Sequence, residues 1–249
     1  MKTTHIHRVL TLSLFAATFF VGVAHAQSSI NVVPPMPILT ATGNASVEVS
    51  PDEATVRIGI LHLGGNAKEA QDEANKALRA TLAAIAALGV PPQNVQTSRL
   101  TIGATYAQPR AGSNEPPHIT GYTASNVVAV TLEDLSLVGP VVDAGLDNGA
   151  NQLEGVQFGL KNDGPAREQA LRYAVAEAKG KAEAMAEALG VALGPVQEVT
   201  ESGVSIGPLG TRSTESFAAV ARAAAPTPVS AGQLEIRANV VLIYAIGSK

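Results

Sequence analysis

Gly203-Val204-Ser205-Ile206-Gly207 has the spacing of a hydrolase nucleophile elbow. In that device a serine is thrust out of a sharp strand-to-helix turn beside oxyanion-binding amides. The chemistry needs a helix after the serine and, in the hydrolase order, a histidine base further on. Pro208-Leu209-Gly210 starts no helix, and every histidine precedes Ser205. Glycines flanking a loop serine is the plainer reading, and a serine hydrolase using Ser205 is the alternative to be tested. Asp52 and Glu53 are adjacent carboxylates at a turn, where consecutive side chains diverge and solvation is expected in place of acid–base work. Asp143 and Asp147 stand one helical turn apart, a weak hard-cation pair without a third ligand. His62 ends a strand pattern beside Gly64-Gly65, and His118 lies in a Pro-rich loop. No glycine loop with a following Lys-Ser/Thr is present to hold phosphate. Catalytic, cofactor-binding and metal residues are therefore all assigned as none, and a non-enzymatic protein without a cofactor is expected.

The chain has 249 residues and no cysteine, which excludes disulfides, thiol nucleophiles and cysteine metal sites. Lys2 and Arg8 precede an uncharged apolar run from Val9 to Val23, and Ala24-His25-Ala26 supplies a small-x-small cleavage site. Residues 1–26 thus read as a signal peptide cleaved after Ala26, with an exported mature chain. The run is shorter than the ~20 residues of a membrane span, and no later run replaces it, so no integral membrane segment is expected in the mature chain. Cleavage removes Lys2 and Arg8, leaving 15 basic residues against 21 acidic ones. A net charge near −6 argues against nucleic acid as a partner, since phosphate contacts need clustered Lys and Arg. The sulfur left is that of Met36 and Met185, so thiol-based antioxidant chemistry is excluded.

The elements that must position these residues follow from periodicity. Residues 27–40 form a Pro-containing arm with Pro34, Pro35 and Pro37. Val47 and Val49 alternate with polar residues as a strand, and after a turn at Pro51-Asp52-Glu53 so do Ala54, Val56, Ile58 and Ile60. The two are expected to form an antiparallel hairpin. Asn66 caps a helix, with Glu69 in capping-box relation, whose apolar face is Ala74, Leu78, Leu82, Ile85 and Leu88; Gly89 ends it. Leu100, Ile102, Ala104 and Tyr106 mark a strand, as do Val128, Val130 and Leu132 beyond the Gln108–His118 loop. A short helix from Ser136 to Asn148 is closed by Gly149, and Val156, Phe158 and Leu160 mark another strand. Asp163-Gly164-Pro165 opens the longest helix, with a stripe of Leu171, Val175, Ala178, Ala182, Met185 and Leu189 and an opposite face bearing Arg167, Glu177, Lys181 and Glu187.

Ala87-Leu88-Gly89-Val90 recurs as Ala188-Leu189-Gly190-Val191, and Val95-Gln96 as Val196-Gln197 at the same offset. Each match lies where a helix runs into a strand, which predicts two similar strand-helix-strand-strand halves, about 41–134 and 135–249. A second long loop is expected over Gly203–Gly232. The final strand, Leu234–Ile246, is apolar on both faces in its second part and belongs inside a sheet or against a neighbouring subunit. The fold class is α+β, with mostly antiparallel sheets and one long packing helix.

Ala41-Thr42-Gly43, Pro51-Asp52-Glu53-Ala54, Gly121-Tyr122-Thr123-Ala124, Gly149-Ala150-Asn151, the helix Ala170–Gly190 and Pro226-Thr227-Pro228 leading through Gly232 into the last strand occur in an order that resembles the SIMPL-domain family. The resemblance covers about Thr40 to Ile246. That family, long catalogued as a domain of unknown function, includes a bacterial oxidative-stress defence protein and a periplasmic immunogenic antigen. The resemblance implies an α+β domain over 41–249 and a homo-oligomer formed through its strands. It further implies a periplasmic location and a role in envelope maintenance or oxidative-stress tolerance, and an envelope protein is a further partner to expect. It carries over no catalytic residue. The competing expectation is a monomeric periplasmic module that binds a ligand or protein with its two long loops.

Overall fold

The structure, a computed structural model, describes residues 36–107, 116–209 and 227–248. The signal-peptide reading, most of the Pro-containing arm and parts of both long loops lie outside those residues. Among these residues, seven strands and three α-helices follow in the order β1 (Ile38–Val49), β2 (Glu53–Gly64), α1 (Ala67–Ala87), β3 (Val95–Tyr106), β4 (Ile119–Leu132), α2 (Val138–Asp147), β5 (Gln152–Gly159), α3 (Gly164–Leu189), β6 (Val191–Pro208) and β7 (Leu234–Ser248). All pairings are antiparallel, in two sheets ordered β1-β7-β6 and β3-β4-β2-β5. The α+β class and the long packing helix are as expected.

The expected hairpin of the first two strands does not form. β1 pairs with β7 from Ile38↔Ala245 to Val49↔Leu234, whereas β2 lies between β4 and β5 in the other sheet. Alternation reported that each segment is a strand, and nothing in it reported the partner. The strand also starts earlier than expected, taking residues 38–40 from the arm; Ile246 N–H donates to the Pro37 carbonyl at 3.0 Å.

Each sheet carries its helices on one face and encloses its own core. Ala54, Val56, Ile58, Ile60, Val128 and Val130 pack under α1 and α2. Leu39, Ala41, Ile236, Val240, Leu242 and Tyr244 pack under α3. The two layers share one arrangement, because β2-β4-β3 repeats as β1-β7-β6 with the helix lying between the first and second strands of each set in the chain. Gly89 and Gly190 occupy equivalent left-handed positions after α1 and α3, with φ of 86° and 70°. Chain order and sheet membership part company at the ends: β1 belongs with the second set, while α2 and β5 belong with the first.

The α3 stripe differs from the expected one. The buried ridge is Ala170, Ala174, Ala178, Ala182 and Ala186, while Val175, Met185 and Leu189 are exposed. Alanines let the helix lie close on β1: a Cβ on Gly43 would stand 1.9 Å from the Ala174 carbonyl oxygen. Asp163 makes no side-chain cap to α3 and pairs instead with Arg167 at 2.6 Å.

Candidate functional site

Ser205 lies within β6, opposite Arg237 of β7, and not in a turn. The strand runs on to Pro208, so the loop expected to begin at Gly203 starts later. Ser205 joins Asn44, Ser46, Glu235, Arg237 and Asn239 around a shallow polar depression of about 370 Å³ on the helix-free face of its sheet. Glu235 is held by the Arg237 guanidinium at 2.6 Å, which keeps its carboxyl below the usual carboxylate range. Among the described residues no histidine lines the depression, and the extended backbone of β6 supplies no strand-to-helix elbow.

The other candidate residues are tied into the architecture. Asp52 Oδ1 accepts the Lys161 backbone N–H at 2.7 Å, and Asp52 N–H donates to the Gly159 carbonyl at 3.1 Å. The β1–β2 link and the β5–α3 link, the two crossings between layers, are thereby fastened to each other. Lys161 Nζ reaches Glu133 at 2.6 Å, and that bond raises its pKa. Asp143 accepts the Thr227 N–H at 3.0 Å and its hydroxyl at 2.5 Å, which lowers the carboxyl pKa. Asp143 is thus spent on anchoring the approach to β7, and among the described residues no group of three or more His, Asp and Glu side chains converges on a metal position. His62 is half-buried on β2 and His118 is exposed before β4. Among the described residues no helix is long and apolar enough to cross a membrane.

Two surfaces stand out beyond the residues singled out from sequence. One is a cleft of about 420 Å³ between the layers, where Val156, Phe158 and Leu160 face Ile206, Pro208 and Leu234. The other is the pair of outer strands β3 and β6. α1 lies over β2 and β4 and barely reaches β3, and α3 lies mainly over β1 and β7. Leu100 and Ile102 sit opposite Asn126 and Ala124, which are buried under α1, yet the two β3 side chains are 61% and 48% exposed. Val196 and Val199 sit opposite Tyr244 and Leu242, which are buried under α3, yet they are 44% and 61% exposed. The alternation of Leu100 and Ile102 therefore marks a strand whose apolar face has little cover among the described residues. In the row beside Leu100, the buried Asn126 and the half-buried Gln71 each keep a side-chain oxygen without a partner among the described residues.

The β1 edge is treated differently. Glu177 of α3 accepts the outward Asn44 N–H, and Lys181 Nζ donates to the Thr42 carbonyl at 3.1 Å. The two side chains also pair with each other at 2.7 Å. The expected solvent face of α3 thus closes one sheet edge.

Comparison with known proteins fits this arrangement. The SIMPL family model, described as "Protein of unknown function (DUF541)", matches residues 39–244. The chain belongs to the SIMPL family. The matched span runs from the second residue of β1 to Tyr244 of β7, so it takes in both layers. A Brucella melitensis relative named 26 kDa periplasmic immunogenic protein is 31% identical over 229 residues, 90% of each chain. Proteins named YggE are 28% identical in Edwardsiella ictaluri and 23% identical in Escherichia coli K12, each over 190 residues and about three quarters of each chain. The SIMPL segments that carried the resemblance have structural duties. Gly43 admits α3, Asp52 fastens the two links, and Asn151 donates to the Leu61 carbonyl and accepts its N–H at 2.7 and 2.9 Å.

Proposed function

We propose that this SIMPL protein is an exported, non-enzymatic protein of the periplasm that assembles with copies of itself and serves envelope maintenance or oxidative-stress tolerance. The observation that carries the reading is the contrast between sheet edges. α3 closes the β1 edge with Glu177 and Lys181, while among the described residues β3 and β6 keep open edges with exposed aliphatic side chains. An open strand bearing apolar residues is a template for pairing with another chain, and proteins that stay apart blunt such strands. The periplasmic placement is supported by the signal-peptide reading of residues 1–26 and by the name of the Brucella relative. Without cysteine, protection against oxidants acts through structure and not through thiol turnover.

Size-exclusion chromatography with light scattering on the mature chain tests the assembly. A mass several times that of one chain is expected, and a concentration-independent monomer overturns the reading. The cleft between the layers favours the second reading, a monomeric module that takes a small apolar ligand or a protein segment between Phe158 and Leu234. That reading gains if the protein is monomeric.

A further inference from the structure

We infer that the β3 edge of one copy pairs with the β6 edge of the next, so that a sheet of each copy continues into its neighbour. This rests on the self-assembly reading and specifies its contact.

Three features of the outer strands point to the pairing. First, β3 and β6 hold the same outer place in the two equivalent strand sets, and no strand among the described residues pairs with either outer edge. The remaining edge strands are poor templates: β1 is closed by α3, and β5 is short and bulged beside Gly155. Second, the uncovered aliphatic strips lie on the helix side of both strands, Leu100 and Ile102 on one, Val196 and Val199 on the other. Edge-to-edge pairing that keeps the helix sides together sets strip against strip and buries both.

Third, the charges are complementary. β6 carries Glu198 and Glu201 and no basic residue, while β3 carries Arg99 and no acid. Glu198 and Arg99 both project on the helix-free side, opposite Ile243 and Val127 respectively. Arg99 already bridges to Glu154 of β5 but stays half-exposed. A β6–β6 contact would bring acids together and a β3–β3 contact would bring two arginines together, whereas β3–β6 brings opposite signs together. Such a contact is heterologous: each copy offers one edge and takes the other, so assembly grows until it closes into a ring or continues as a filament.

Two variants of the mature chain and their mixture decide it. Leu100→Glu blocks β3 and Val199→Glu blocks β6; both positions are exposed, and far-UV circular dichroism checks that each variant folds. Should either lose its spectrum, Leu100→Ser or Val199→Ser replaces it. Each variant alone is expected to run as a monomer by light scattering. Their equimolar mixture is expected to form a complex of two chains and nothing larger, because one intact β6 and one intact β3 remain to meet. If one variant keeps the wild-type mass while the other is monomeric, the contact is between like edges and the inference falls. It also falls if both variants keep the wild-type mass, or if the mixture stays monomeric. A monomeric wild type instead removes the self-assembly reading itself.

Discussion

Gly43 shows how a single position serves this fold. The backbone of α3 passes so near that a Cβ would meet the Ala174 carbonyl at 1.9 Å and the Ala178 amide at 2.7 Å. Both are helix backbone atoms, which cannot swing aside as a flexible side chain would. Gly43→Ala should therefore destabilise the protein by about 3 kcal/mol, the upper part of the range for overpacked cores, read from the urea midpoint at unchanged slope. Asp52, Asp143 and Asn151 are likewise bound to backbone groups of distant segments. From sequence, Asp52 and Asp143 read as solvated or weakly metal-binding carboxylates, because the amides they accept from belong to residues far along the chain. Local spacing reports neighbours within an element and is silent about such partners. It did argue against an elbow at Ser205, since the Pro208-Leu209-Gly210 run that starts no helix is read locally.

At the scale of elements, alternation and helical spacing identified most strands and all three α-helices among the described residues. The capping of α1 was legible in detail: Glu69 N–H donates to Asn66 at 2.9 Å, and the Glu69 carboxylate accepts from Gly65 N–H at 3.0 Å. The stripe of α3 was misjudged because large aliphatic residues outweigh alanine in any hydrophobic pattern, whereas close packing on β1 selects the alanine ridge. The pairing of β1 with β7 was out of reach for a similar reason, since both strands are regular and only the three-dimensional arrangement sets Gly43 against Val240. The closure of the β1 edge by Glu177 has a pH signature. Its bonds to Lys181 and to the Asn44 amide lower the carboxyl pKa in the folded protein. A depressed carboxyl contributes stability that is complete above the ordinary glutamate pKa of about 4.3 and is lost as the pH falls through the folded value. Glu177→Gln should thus unfold at lower urea than wild type near pH ~7, and the difference should shrink toward pH ~3 as wild type protonates. A difference that stays constant across that window contradicts the assignment.

The whole molecule is one layer inserted into another. β2 through β5 are continuous in the chain and enclose one core, whereas the second core joins β1 to α3, β6 and β7. A fragment of residues 51–161 should therefore fold cooperatively by itself, with strand and helix signals in circular dichroism and a single urea transition. A fragment of residues 162–249 lacks β1, which covers one side of its central strand, and should not fold. In the proposed self-assembly, molecules join through the outer strands β3 and β6, which α1 and α3 leave largely uncovered. Hydrogen exchange of the assembled mature chain tests this most directly, because outward amides of an open edge strand exchange quickly while paired ones are protected. The account predicts protection along both β3 and β6 at high concentration, lost together on dilution to monomer, with β5 unchanged. Fast exchange along either β3 or β6 in the assembled protein would contradict it.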